Sequence, residues 1–143
     1  MNEKLNSIAT TRITAPVKKV WEALVSPEMI KQYMFGTEVD SDFKEGSSIT
    51  WKGVWKDTSY EDKGTILKVI KEGTLQYSHY SPLSGLPDVP ENYNILTYHL
   101  AMHDGQTFLS LTQDNNTTLK MKEESKKMWQ LMLDSLKKLL EKA

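Results

Sequence analysis

The apolar residues of this chain change their spacing once, near residue 117, and that change limits the fold more than any other feature. From Ser48 to Gln113, five short segments read as strands, most of them with apolar side chains at every second position. After it, Met121, Met128, Trp129, Met132, Leu133, Leu136, Leu139 and Leu140 recur at intervals of three and four, which predicts one amphipathic helix over Lys120–Ala143. Such a helix must bury its stripe, and the preceding strands offer a sheet to bury it on. Methionine is soft and fills irregular volume, so this stripe suits the wall of a pocket as well as a core.

The remaining elements follow from punctuation. Ser7–Thr14 is β-rich and reads as a first strand. Pro16 suits a first helical turn, and Val17, Val20, Trp21 and Leu24 give a helical stripe. Ser26-Pro27-Glu28 breaks that helix and restarts a short one through Met29, Ile30 and Tyr33, closed by Gly36. Glu38–Asp42 reads as an edge strand. The five strands that follow are Ser48–Trp55, Lys63–Lys71, Leu75–Tyr80, Asn94–Met102 and Thr107–Gln113. The turns Lys71-Glu72-Gly73-Thr74 and His103-Asp104-Gly105-Gln106 are of hairpin length and argue for an antiparallel meander. Ser81–Tyr93, with three prolines and Gly85, is the long loop, a candidate lip over a pocket.

Bulk properties remove several function classes. The chain has 143 residues, a length that fits a single domain over 1–143, and a formal net charge of -1, which gives no basic footprint for nucleic acid. Cysteine is absent, which excludes disulfides and thiolate metal sites. No apolar stretch reads as a signal peptide or a membrane span, so a cytoplasmic location without stable membrane insertion is expected. Between Lys120 and Ala143 seven lysines face three glutamates and one aspartate, and this basic side reads as a solvated face.

The order of elements resembles the helix-grip fold of the START-like superfamily, and within it the single-domain branch similar to the C-terminal domain of the Hsp90 ATPase activator. The residues that carry the likeness are Ala15–Leu24, Ser26–Tyr33, Gly64–Leu67, Thr97–Leu100, Gly105–Thr107 leading into Leu109–Asn115, and Trp129 with Leu133 and Leu136. The resemblance implies an α+β helix-grip fold: a curved antiparallel sheet of about six to seven strands wrapped around a long C-terminal helix, with two short helices after the first strand. It also implies a lipophilic ligand held between helix and sheet, the cyclase or aromatase chemistry of some relatives, or an Hsp90-type chaperone partner.

Read from the residues themselves, catalytic constellations are scarce. His79, His99 and His103 lack metal-ligand spacing, and no nucleophile elbow or P-loop occurs; neither a cofactor nor a catalytic set is assigned. Glu38, Asp40 and Asp42 share one strand face and read as a guard against edge pairing in preference to a metal site. Alternation places His79 with Leu75 and Tyr77, and His99 on the opposite side from Tyr98. The expected ligand-binding set is Trp51, Trp55, Tyr77, His79, Tyr98, Leu111, Met128, Trp129 and Met132: flat apolar walls with sparse polar groups. The same residues interlocked as a filled core are the competing reading. Binding of an apolar or aromatic small molecule (lipid-, polyketide- or flavonoid-like) is the expected function. The alternatives are a cyclase-type enzyme using His79 with Tyr77 or Tyr98, and a chaperone-interaction module.

Overall fold

The computed structural model describes residues 5–142, apart from the side chain of Trp55. Strand β1 (Leu5–Ile13) is followed by helices α1 (Val17–Leu24) and α2 (Pro27–Tyr33), then the short β2 (Glu38–Asp40). Strands β3 (Ser48–Trp55), β4 (Thr58–Ile70), β5 (Thr74–His79), β6 (Asn94–His103) and β7 (Gln106–Asn116) precede helix α3 (Leu119–Glu141). All seven strands form one antiparallel sheet in the order β1-β7-β6-β5-β4-β3-β2. The chain thus runs as a meander from β2 to β7 and closes on its own first strand. This is the α+β helix-grip arrangement that the resemblance implies, and its long last helix is the one the change of period predicts.

Local chemistry sets the boundaries. The Ser26 hydroxyl accepts from Met29 N–H at 3.3 Å, and Pro27 starts α2 where a missing N–H costs nothing. Thr118 caps α3 in the same way, accepting from Met121 N–H at 3.1 Å. Tight hairpins need positive φ at both central residues, and Lys56-Asp57 (48° and 64°) and Asp104-Gly105 (52° and 76°) supply it. The first of these turns was not anticipated. It starts β4 at Thr58, where pairing with β3 begins; the sequence places the start at Lys63 because Thr58–Asp62 is polar and shows no apolar alternation. Gly64 is obligatory for another reason: a Cβ there would stand 1.8 Å from the Ser78 carbonyl oxygen, so only glycine permits this approach of β4 to β5.

Helix α3 buries Trp129, Met132, Leu133, Leu136 and Leu140. Each such side chain contributes roughly 1.5–3 kcal/mol of transfer free energy. Met128 departs from expectation: it is 50 % exposed. It follows the sequence spacing only loosely, because one residue is about 100° of helical rotation and Met128 lies one step from the Trp129 line. Met121, at 45 % exposed, lies on that same outer flank.

Polar side chains of α3 tie it to the outer edge of β1. Gln130 Nε2 donates to Thr10 O at 2.9 Å, Lys137 Nζ donates to Arg12 O at 2.6 Å, and Thr14 N donates to Glu141 Oε2 at 2.7 Å. These bonds occupy backbone groups that an uncovered edge strand would present for pairing. Nearer the start of α3, Asn116 Nδ2 donates to Ser7 Oγ at 2.9 Å and to Leu5 O at 2.8 Å, while Ser7 Oγ donates to Lys122 O at 2.9 Å.

Candidate functional site

The concave face of the sheet is built by alternation, and its inward positions are Ile49 and Trp51 on β3, Ile66 on β4, Leu75 and Tyr77 on β5, Leu96 and Tyr98 on β6, and Leu109 and Leu111 on β7. Register then assembles an aromatic floor. The rings of Trp51 and Tyr77 lie 5.1 Å apart, and those of Tyr77 and Tyr98 lie 5.9 Å apart. Both separations fall in the range of favourable tilted ring pairs. The Tyr77 and Tyr98 hydroxyls meet at 3.0 Å, so two buried polar atoms satisfy each other. Tyr33 comes to the same region from α2, with its hydroxyl donating to Ala23 O at 3.0 Å.

Burial governs the acidity of these phenols. Removal from water holds Tyr98 neutral and pushes its pKa up to about 12. Tyr77 is raised well above its ordinary value by burial first, then by the neighbouring Tyr98. Tyr33 is raised by burial and by Tyr98. At neutral pH all three are hydrogen-bonding phenols.

At the rim of this floor stands a polar pair. His79 Nε2 donates to Asp62 Oδ2 at 2.8 Å, with side-chain exposures of 24 % and 13 %. The His79 ring meets Trp51 edge-on at 5.0 Å. Among the described residues, Asp62 Oδ1 is buried without a hydrogen-bond partner. An unpaired buried carboxylate oxygen costs free energy, and such atoms in native proteins call for a functional or bound-group explanation. Tyr60, two residues before Asp62 on the same strand face, has its hydroxyl 3.0 Å from Thr37 Oγ1.

The long loop is pinned beside this rim. Tyr80 stacks on Tyr93 at 5.3 Å and donates its hydroxyl to Leu86 O at 2.6 Å. Tyr93 donates to Asp88 Oδ1 at 2.6 Å, and Lys63 forms an ion pair with Asp88. Asn115 Nδ2 reaches Glu91 O at 2.9 Å, joining the loop to the end of β7.

The structure therefore brings together Trp51, Tyr77, His79 and Tyr98, as alternation predicts. Leu111 pairs with Tyr98 across the β6–β7 ladder and is fully buried. Trp129 and Met132 are buried on α3, and Trp129 Nε1 donates to Gln113 Oε1 at 2.6 Å on the neighbouring strand. Met128 stands on the outer flank, and the side chain of Trp55 lies outside the described residues. His99 and His103 face outward. Sequence reasoning missed Asp62 and Tyr33. The available signal for Asp62 was its phase: Tyr60, Asp62, Gly64 and Ile66 alternate on one face. Glu38 and Asp40 lie on the edge strand β2, but the strand ends there and Asp42 falls in the following turn, where it accepts from Lys44 N–H at 3.1 Å, so the three acids do not share one strand face. Among the described residues no cluster of three metal-ligating side chains occurs.

Comparisons with known proteins agree with this fold. A family model described as Activator of Hsp90 ATPase homolog 1-like protein matches residues 14–141. The solution structure of ChR145 from Cytophaga hutchinsonii is 55 % identical, with a TM-score of 0.86, over 99 % of this chain and 97 % of that one. An Aha1 dimer from Colwellia psychrerythraea is 23 % identical, with a TM-score of 0.74, over 96 % of each chain. CalU16 from Micromonospora echinospora is 23 % identical, with a TM-score of 0.72, over 94 % of this chain and 82 % of that one. A search of curated proteins finds no match. Among the described residues no helix is long and apolar enough to cross a membrane.

Proposed function

Because this chain belongs to the family of Activator of Hsp90 ATPase homolog 1-like proteins, which includes ligand-binding and polyketide-cyclase-type members, we propose that it binds an apolar or aromatic small molecule on the concave face of its sheet. The flat body of the ligand lies on the floor of Trp51, Tyr77 and Tyr98, and its polar group reaches the His79–Asp62 pair. One observation carries this reading. The half-buried imidazole and carboxylate stand beside an aromatic wall, and the carboxylate has an oxygen that the fold leaves unsatisfied. Mostly apolar walls with a few orienting polar groups are the usual composition of a small-molecule site.

Quenching of tryptophan fluorescence by 2-naphthol, titrated against the wild-type chain and against Trp51→Ala and His79→Ala, tests the proposal. Saturable quenching that weakens at least tenfold in both folded variants supports it. Equal quenching in all three proteins places binding elsewhere and overturns it.

A second reading is an enzyme of the cyclase kind. It is favoured by the 2.8 Å His79–Asp62 bond, in which the carboxylate orients the imidazole and leaves Nδ1 to accept a proton. Under this reading His79→Ala abolishes turnover while Trp51→Ala raises KM, a split that simple binding does not produce.

A further inference from the structure

The opposite, convex face of the sheet carries a second concavity, independent of the site above. It is an open trough of about 530 Å³ across β1, β7 and β6. Its origin lies in register. Thr10, Ser110 and His99 are direct neighbours across the three strands, and so are Arg12, Phe108 and Ala101. The small Ser110 sits between the taller Thr10 and His99, and Ala101 leaves space beside Phe108. With strands about 4.8 Å apart, the walls at Thr10 and His99 stand roughly 10 Å from each other.

The chemistry of this trough has one sign. Arg12 has its guanidinium 5.2 Å from the Phe108 ring centroid and, among the described residues, has no carboxylate within ion-pair distance. His99 Nδ1 is 3.2 Å from Thr74 Oγ1, which fixes the ring and leaves Nε2 for another partner. Thr10 and Ser110 add hydroxyls, and no acid lines the trough. A guanidinium steadied on an aromatic face and lacking an anion is pre-organised for an oxyanion.

We propose that this trough binds a small organic phosphate monoester. The phosphoryl group sits over Ser110, where its three terminal oxygens reach Arg12, His99 and the hydroxyls of Thr10 and Ser110 together. The organic part lies along Ala101 and Phe108. A planar carboxylate has two oxygens and cannot engage both walls and the guanidinium at once. The volume falls within the range of small-molecule sites, well beyond what an inorganic ion fills.

The test is a titration of ¹⁵N-labelled protein with phenyl phosphate, followed by amide chemical shifts. Saturable shifts confined to residues 10–12, 99–101 and 108–110 are expected, weakened at least tenfold in Arg12→Gln and abolished in Ser110→Glu, which places a carboxylate in the trough. Both positions are on the surface of the sheet, and unchanged melting temperatures confirm intact folding. Shifts centred on the lysines of α3, or affinity unaltered by Arg12→Gln, overturn the site. Benzoate binding as tightly as phenyl phosphate overturns the phosphate class, and inorganic phosphate binding as tightly overturns the organic part.

Discussion

Tyr77 and Tyr98 give a decisive test of how dry the floor of the site is. Their hydroxyls lie 3.0 Å apart in the interior, and both rings are almost fully buried, at 4 % and 3 % exposure. Replacing either tyrosine by phenylalanine removes one partner and strands the other hydroxyl. The third phenol nearby, Tyr33, already donates its proton to Ala23 O. A buried hydroxyl without a partner costs about 1–3 kcal/mol, so each single variant is expected to lose that much. Replacing both leaves two apolar rings of the same shape, and the double variant is expected to lose less than about 1 kcal/mol. The sign is the informative part: the double variant is more stable than either single one, with a coupling larger than about 1 kcal/mol. Urea unfolding followed by circular dichroism at constant m reads these differences directly. If both single variants lose less than about 0.5 kcal/mol and the double is additive, the hydroxyls are finding water. The description of a dry aromatic floor is then wrong.

Alkaline pH acts on the same residues. Tyr98 is raised from 10.0 to about 12, so the folded chain holds a proton that the unfolded chain has released between those values. The stabilisation is fully present below pH 10 and is lost as pH rises through 12; a two-unit shift amounts to about 3 kcal/mol, with Tyr77 and Tyr33 adding in the same direction. Phenolate absorbance at 295 nm should then show late-titrating tyrosines that ionise together with loss of the far-UV signal; early, unfolding-independent titration of all tyrosines contradicts this. Gly64→Ala meets the Ser78 carbonyl and is expected to cost at least about 1–3 kcal/mol in thermal or urea unfolding, and a neutral result refutes the close approach of β4 and β5. Met132 is 2 % exposed, so Met132→Trp is expected to destabilise by about 1–3 kcal/mol; an unchanged unfolding midpoint would reveal free volume at that point of α3.

Much of this fold is legible in the sequence because its strands are half-buried and its last helix has one stripe. Leu75-Gln76-Tyr77-Ser78-His79 declares its inward face by alternation alone, and so do Leu96, Tyr98 and Leu100 on β6. The outward placement of His99 follows from the same rule. Four features were not legible, each for a physical reason. The polar half of β4 has no hydrophobic period, because its backbone pairing with β3 defines it as strand. Asp62 was therefore not matched with His79, a partnership made by register between β3, β4 and β5. The exact rotation of α3 depends on which flank the sheet covers, so Met128 and Met132, four residues apart, end in different environments. The polar ties from Gln130, Lys137 and Glu141 to the β1 region are likewise tertiary facts, since no local pattern marks a helix that covers an edge strand.

Native mass spectrometry of the gently purified chain tests the central claim most directly. We expect the wild type to retain a small-molecule mass, and Trp51→Ala, which removes part of the aromatic floor, to lose it while staying folded. A bare polypeptide mass from the wild type, with no adduct formed on adding aromatic or lipid compounds, would contradict the account and identify the concave face as a filled core.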